Sequence, residues 1–265
     1  MRILNILVAE DDDQNQAMMK IILDRLGHNV FSAWNGLAAL EIVKNNEIDL
    51  VFMDVHMPEM DGLEASMKIR AWENTKKHIP IVILSGSVSD EVIEEYKKAG
   101  ADTYITKPFD IKRISLLTQI IAGENNQSRI VEQQETNTAF PESTVLDTDN
   151  SLIRFDNNIN FYIENLSEFL NSLPVRAEKI ENSITTGNFT DLENFAHNLK
   201  GVSSNFGAKK LSLIASQIEI EAANKKIRTS KKLFREMKHQ IFTLTELASN
   251  FIKNQKLTNP DQVER

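Results

Sequence analysis

The chain has 265 residues, 41% of them hydrophobic and 26% charged, the balance of a globular protein of one or two domains. It holds no cysteine, which excludes disulfides, thiolate nucleophiles and Cys-based zinc sites. The net charge of −8 divides as −6 over residues 1–122, −5 over 123–150 and +3 over 151–265, too little positive charge anywhere to propose direct nucleic-acid binding.

No apolar run reaches eighteen residues, so membrane insertion is not expected, and MRILNILVAEDDD turns acidic too early for a secretory signal. A cytoplasmic location fits these features and the missing cysteines.

Residues 1–122 alternate short apolar runs with amphipathic stretches. Strands are expected at 3–9, 29–33, 50–54, 80–85 and 102–106, and helices near 14–26, 36–46, 63–73, 89–99 and 111–122. Five such pairs predict an α/β fold, a (βα)5 doubly wound parallel sheet covered on both faces. Residues 123–150 are polar without sustained periodicity and read as a flexible linker. Residues 151–256 read as all helix, with patterns at 159–172, 174–186, 191–206, 209–225 and 230–254, and 257–265 as a disordered tail. Pro174 is expected to start the second helix and Gly187 to end it. Leu233, Met237, Ile241, Leu244, Leu247 and Phe251 form the expected stripe of the last. Short turns between these helices suggest a four-helix bundle with a leading short helix.

In parallel sheets, sites form beyond the carboxyl ends of the strands. Here those ends carry Glu10, Asp11, Asp12 and Asp13, then Asp54, then Ser85, then Lys107. Converging carboxylates repel one another and either take up protons or bind a cation. All-oxygen donors favour Mg²⁺ or Mn²⁺ over zinc. A carboxylate beside such an ion, with a hydroxyl and an ammonium near, suits phosphoryl transfer.

The stretches ILVAEDD, LVFMDVHMPEMDG, ILSGS and ADTYITKPF, in this order, closely resemble the receiver domain of two-component response regulators across residues 1–122. The resemblance implies a flavodoxin-like receiver with Asp54 as phosphoacceptor. It makes Glu10, Asp11, Asp54 and the backbone carbonyl of His56 the metal shell, Glu10 standing where many members have Asp. Ser85 would hydrogen-bond the phosphoryl group, Lys107 would pair with it, and Tyr104 would be the aromatic that turns inward on activation. Pro108 would follow Lys107 in a cis bond. Without the resemblance, Asp12 and Asp13 read as first-turn helix residues, the His56 imidazole as exposed and Tyr104 as strand packing.

In the second half, FAHNLKGVSSNFGA holds one histidine, His197. Thr190 and Glu193 have capping-box spacing and Gly207 sits at a stop. At 100° per residue, Phe195, Leu199, Val202 and Phe206 share an apolar stripe. His197 falls on the opposite face beside Gly201 and Ser204, with Lys200 one turn on. Lys200 and Gly201, at i+3 and i+4, cannot complete a metal site. A solvated surface histidine is the bland reading. The bare face around it suggests instead that something must approach the imidazole closely. The stretch resembles the signature of histidine-containing phosphotransfer (HPt) domains, which implies a bundle over about 155–255. His197 would then carry phosphoryl, Lys200 would screen its charge, and Gly201 and Ser204 would leave room for a receiver.

Together these imply a phosphorelay protein. An upstream sensor histidine kinase charges Asp54, and His197 exchanges phosphoryl with a receiver aspartate, in this chain or on a downstream response regulator, in either direction. One alternative is a phosphorylation-gated adaptor signalling through the 84–113 face with His197 incidental, which His197→Gln would distinguish. A Mg²⁺-dependent phosphatase is weaker, because Asp54-Val55-His56 lacks the second aspartate of a D-x-D pair. No kinase ATP-binding boxes are visible, so the chain could be the C-terminal part of a hybrid sensor kinase, whereas Met1 directly before the first strand points to a stand-alone protein.

Overall fold

The computed structural model describes residues 2–73, 78–86, 89–123, 145–155 and 157–258. The chain divides into two compact units, Met1–Asn137 and Thr138–Arg265.

The first unit contains β1 (Asn5–Ala9), α1 (Asp13–Arg25), β2 (Asn29–Ala33), α2 (Gly36–Asn45), β3 (Leu50–Asp54), α3 (Gly62–Glu73), β4 (Ile81–Ser85), α4 (Asp90–Lys98), β5 (Thr103–Thr106) and α5 (Ile111–Ile121). Its five strands are parallel in the order β2-β1-β3-β4-β5. β3 and β4 are buried at every position, which is why they read as continuous apolar runs rather than alternating ones. The strand order reverses between β1 and β3, the point at which a doubly wound sheet opens a crevice. Register sets what lies there. Ala9 pairs with Met53, Asp54 with Leu84 and Ser85 with Thr106, so Glu10, Asp54 and Lys107 leave the sheet at one edge.

Side-chain caps fix where several helices begin. Asp12 accepts from the backbone of Gln14 and Asn15, Asn35 from Ala38 and Asp110 from Lys112. Asp12 is therefore the cap of α1, and Asp13 alone of the pair stands in its first turn.

The second unit holds α6 (Thr148–Arg154), α7 (Ile159–Thr186), α8 (Phe189–Asn205), α9 (Lys209–Ala223) and α10 (Ile227–Thr258). Three sequence expectations need correcting. Pro174 does not start a helix; it lies inside the 28-residue α7, because Leu170, Leu173 and Ile180 continue one buried face across it. Apolar packing on both sides outweighs the cost of about 3 kcal/mol that an interior proline carries. α8 is capped by Asn188, which accepts from the backbone of Asp191, and not by Thr190. On α10 the buried positions are Ser230, Phe234, Met237, Gln240, Leu244 and Ala248, while Leu247 is 47% exposed.

The segment read as linker lies outside the described residues except for Gly123 and 145–150, and at that end α6 already begins at Thr148. Residues 259–265 of the expected tail lie outside them too, and α10 runs to Thr258.

Phe155, Phe161, Tyr162, Phe169 and Phe206 form the aromatic centre of the bundle, Phe169 stacking on Phe206 at 4.9 Å between centroids. The buried Tyr162 hydroxyl donates to the Phe206 carbonyl at 3.1 Å. α6 clasps the α8–α9 turn: Asp147 N–H donates to Gly207 O at 2.9 Å, and the Asp147 carboxylate pairs with Lys209.

Gly207 has φ +74°, and a Cβ there would fall on Ser151 Oγ and the Asp147 carbonyl. Gly187 has φ +71°, with open space around it. Gly187→Ala should therefore lose about 1 kcal/mol of bundle stability, the cost of the left-handed backbone, and Gly207→Ala clearly more. Urea unfolding of the two variants checks this; equal losses would contradict the clasp.

Candidate functional site

In the first unit, β1 delivers Glu10 and Asp11, β3 Asp54, β4 Ser85 and β5 Lys107. Glu10 and Asp54 are fully buried, and Lys107 is nearly so. The Lys107 ammonium lies 2.8 Å from Glu10 Oε2, 3.1 Å from Glu10 Oε1 and 3.0 Å from Asp54 Oδ1. One cation thus bridges two strand ends. Asn15, from the first turn of α1, donates to Glu10 Oε1 at 2.9 Å. Lys107-Pro108 is a cis peptide bond, as the resemblance implies.

Glycine lets this edge close. Gly62 opens α3 where a Cβ would collide with the Asp54 carbonyl, and its N–H donates to Val55 O at 2.9 Å. His56 follows on the β3–α3 loop with its side chain exposed.

Glu10, Asp11 and Asp54 each offer an oxygen within 4.8 Å of the others. Burial, and then the neighbouring Asp54 carboxylate, push the Glu10 carboxyl up to about 8, against the pull of Lys107. For Lys107, burial opposes the charge, but the Asp54 and Glu10 carboxylates prevail and hold its pKa above the ordinary lysine value. Asp54 Oδ2 is buried and accepts no hydrogen bond among the described residues. Two buried carboxyls and a half-buried third share one ammonium, and one Asp54 oxygen is still to be satisfied. These oxygen donors fit a hard divalent cation.

Ser85 Oγ lies 2.8 Å from the hydroxyl of Tyr96 on α4, a partner that no sequence motif indicated. Tyr96 meets Tyr104 edge-on, with ring centroids 6.2 Å apart. Tyr104 itself is half-buried, and its carbonyl accepts from Arg113 at 3.0 Å.

In the second unit, α8 is buried around most of its circumference. Leu192, Ala196, Leu199, Val202 and Phe206 are covered, and Phe195 only partly. The face expected to be bare is not bare: the His197 side chain is 8% exposed, Gly201 is buried, and Lys200 and Ser204 are half-buried. The close neighbour is α9. His197 Nδ1 lies 2.6 Å from Glu219 Oε1, Lys200 Nζ lies 3.1 Å from Glu219 Oε2, and Ser212 Oγ donates to the Lys200 carbonyl at 3.0 Å. The nearly buried imidazole therefore has a carboxylate from α9 as a polar partner. Because a carboxylate only accepts, Nδ1 carries a proton and the lone pair of the neutral ring is on Nε2.

Glu219 was missed by sequence reasoning. The signal is an acid between Ile218 and Ile220, 22 residues beyond His197. Burial works against its charge, but the hydrogen bond and charge of His197, then Lys200, hold the Glu219 carboxyl below the ordinary glutamate range.

A family model of the response regulator receiver domain matches residues 6–119, and one of the Hpt domain matches 164–248. The aerobic respiration control sensor protein ArcB of Escherichia coli (strain K12) is 25% identical over 219 residues, which cover 82% of this chain and 28% of that protein. The sensory/regulatory protein RpfC of Xanthomonas campestris pv. campestris (strain 8004) is 26% identical over 216 residues, 80% of this chain and 29% of RpfC. The probable histidine kinase 1 of Oryza sativa subsp. indica is 33% identical over 139 residues, 41% of this chain and 14% of that one. The chain thus spans less than a third of the length of these relatives. No helix among the described residues is long and apolar enough to cross a membrane.

A carboxyl held below its ordinary value stabilises the fold above that value and loses the contribution as pH falls through its lowered one. The stability advantage of the wild type over Glu219→Gln should therefore shrink as pH falls below 4.5. Urea unfolding across that range tests it; a constant gap would separate Glu219 from the pair.

Proposed function

We propose that this chain, in which a response regulator receiver domain is followed by an Hpt domain, is a phosphorelay protein that carries phosphoryl on Asp54 and on His197. The observation that carries the reading is the buried pair Glu10 and Asp54 around the Lys107 ammonium, with the half-buried Asp11 carboxylate beside them. It supports the reading because a buried carboxylate beside a fixed cation suits the transfer of a negatively charged group.

Glu10, Asp11, Asp54 and the His56 backbone carbonyl would hold Mg²⁺ (or Mn²⁺), which supplies charge neutralisation to the phosphoryl oxygens. The remaining chemistry belongs to the chain. An Asp54 carboxylate oxygen attacks phosphorus, the P–O bond to Asp54 forms and the P–N bond to a phosphohistidine breaks. Lys107, already beside Asp54 Oδ1, stays to pair with the transferred group. Ser85 donates a hydrogen bond to it, and Tyr104 responds to the turn of Ser85.

At His197, Nε2 is the nucleophile. Glu219 fixes the tautomer and stabilises positive charge that develops on the ring as the P–N bond forms. When phosphoryl departs, the ring keeps the Nδ1 proton and leaves as neutral imidazole. Lys200 shares Glu219 and offsets the added charge. Gly201 and Ser204 contribute through small volume, the first where α9 passes close and the second at the half-buried edge.

The partners in this reading are an upstream sensor histidine kinase, which charges Asp54, and a downstream response regulator receiver that exchanges phosphoryl with His197. The name of one relative points to a histidine kinase, and the receiver and Hpt models matched within this chain are of the kinds that would exchange phosphoryl with such partners. A cytoplasmic location belongs to the same reading, because the donor kinase draws on ATP. The domains proposed are a receiver over 1–122 and a phosphotransfer bundle over 151–256, extended N-terminally by α6.

Acetyl phosphate with Mg²⁺ should give alkali-labile phosphate in wild type and His197→Gln, and none in Asp54→Ala. Acid-labile phosphate should depend on His197. Chelating the metal should reduce Asp54 labelling at least about a hundredfold. Undiminished alkali-labile label in Asp54→Ala would refute the acceptor assignment.

A further inference from the structure

Tyr96 is the one residue of α4 that is buried, and its hydroxyl meets Ser85 Oγ at 2.8 Å inside the receiver core. The rest of α4, DEVIEEYKK, is charged or only partly covered, so this side chain is the helix's anchor on the sheet. A phenol is a stronger acid than an aliphatic alcohol and makes the better donor, while serine has one proton and two acceptor sites. With either hydroxyl as donor, the contact holds the Ser85 oxygen toward α4. Its surroundings do not favour release. Tyr96 also packs edge-on against Tyr104, and a buried hydroxyl left without a partner costs more than a typical hydrogen bond gains.

We infer that Tyr96 is a positioning residue: its hydroxyl holds Ser85 in a resting orientation and opposes the turn of Ser85 toward a phosphoryl group on Asp54. This rests on the reading of Asp54 as acceptor. Phosphorylation must then release the Tyr96 hydroxyl, and with it the buried hold of α4 on the sheet.

Beryllofluoride with Mg²⁺, a phosphoryl mimic, tests this on the full chain. Affinity is measured by titration calorimetry for wild type, Tyr96→Phe, Ser85→Ala, the double variant and Asp54→Asn. Phe keeps the ring and removes only the hydroxyl. Tyr96→Phe should bind about three- to tenfold more tightly than wild type, the size of one competing hydrogen bond. In the Ser85→Ala background the same substitution should have no effect. Damage to packing alone would weaken binding, so tightening separates a positioning role from a structural one. Amide exchange of residues 90–98 should rise when wild type binds beryllofluoride and should already be raised in unliganded Ser85→Ala, which tests the anchor without altering Tyr96. Unchanged or weaker binding by Tyr96→Phe, while Asp54→Asn loses binding, overturns the inference alone. Equal binding by wild type and Asp54→Asn overturns the acceptor reading and the inference with it.

Discussion

One lysine makes the first unit's site possible. Lys107 reaches back from the end of β5 to the carboxylates that end β1 and β3, so the sheet's two acidic strand tips need not repel one another apart. The arrangement is only half neutralised. Glu10 remains raised to about 8 by burial and by Asp54, and Asp54 keeps a buried oxygen that accepts no hydrogen bond among the described residues. A fold accepts buried charge of this kind when the imbalance serves chemistry that brings more positive charge in. Register, not side-chain flexibility, brings these groups together, since each is the last or next residue of a parallel strand.

The second unit holds its histidine by a different route. Helix α8 is enclosed, and its histidine is held by a carboxylate from a neighbouring helix rather than presented on an open face. The enclosure leaves the imidazole a polar partner in Glu219. Glu219 selects the ring proton, and Lys200 selects the charge that Glu219 keeps. Both units thus use one charged group bridging two others: Lys107 between two acids, Glu219 between two bases.

Much of this was legible in the residues. Strands β3 and β4 are apolar at almost every position because both faces are covered, so their limits fall within a residue of the expected ones. Glu10, Asp11, Asp54, Ser85 and Lys107 follow from strand ends alone. Pro174 was misread because a boundary rule judges one residue, whereas the buried face from Leu166 to Ile184 judges the helix. The helical wheel of α8 went wrong for a related reason. It orders side chains around one axis but does not say how many neighbours surround it, and so Phe195 was assigned more burial than it has. Glu219 and Tyr96 lay beyond sequence reasoning because their partners are distant in the chain and no local spacing encodes them.

The hydroxyl of Ser212 acts as a spacer between α8 and α9. It hooks the carbonyl of Lys200, one turn from His197, while Glu219 stands two turns further along α9. The spacing of the two backbones is thus tied close to where imidazole and carboxylate meet. If the proposed relay holds, such a mounting would let a visiting molecule press on the bundle while the spacing of the two helices is kept.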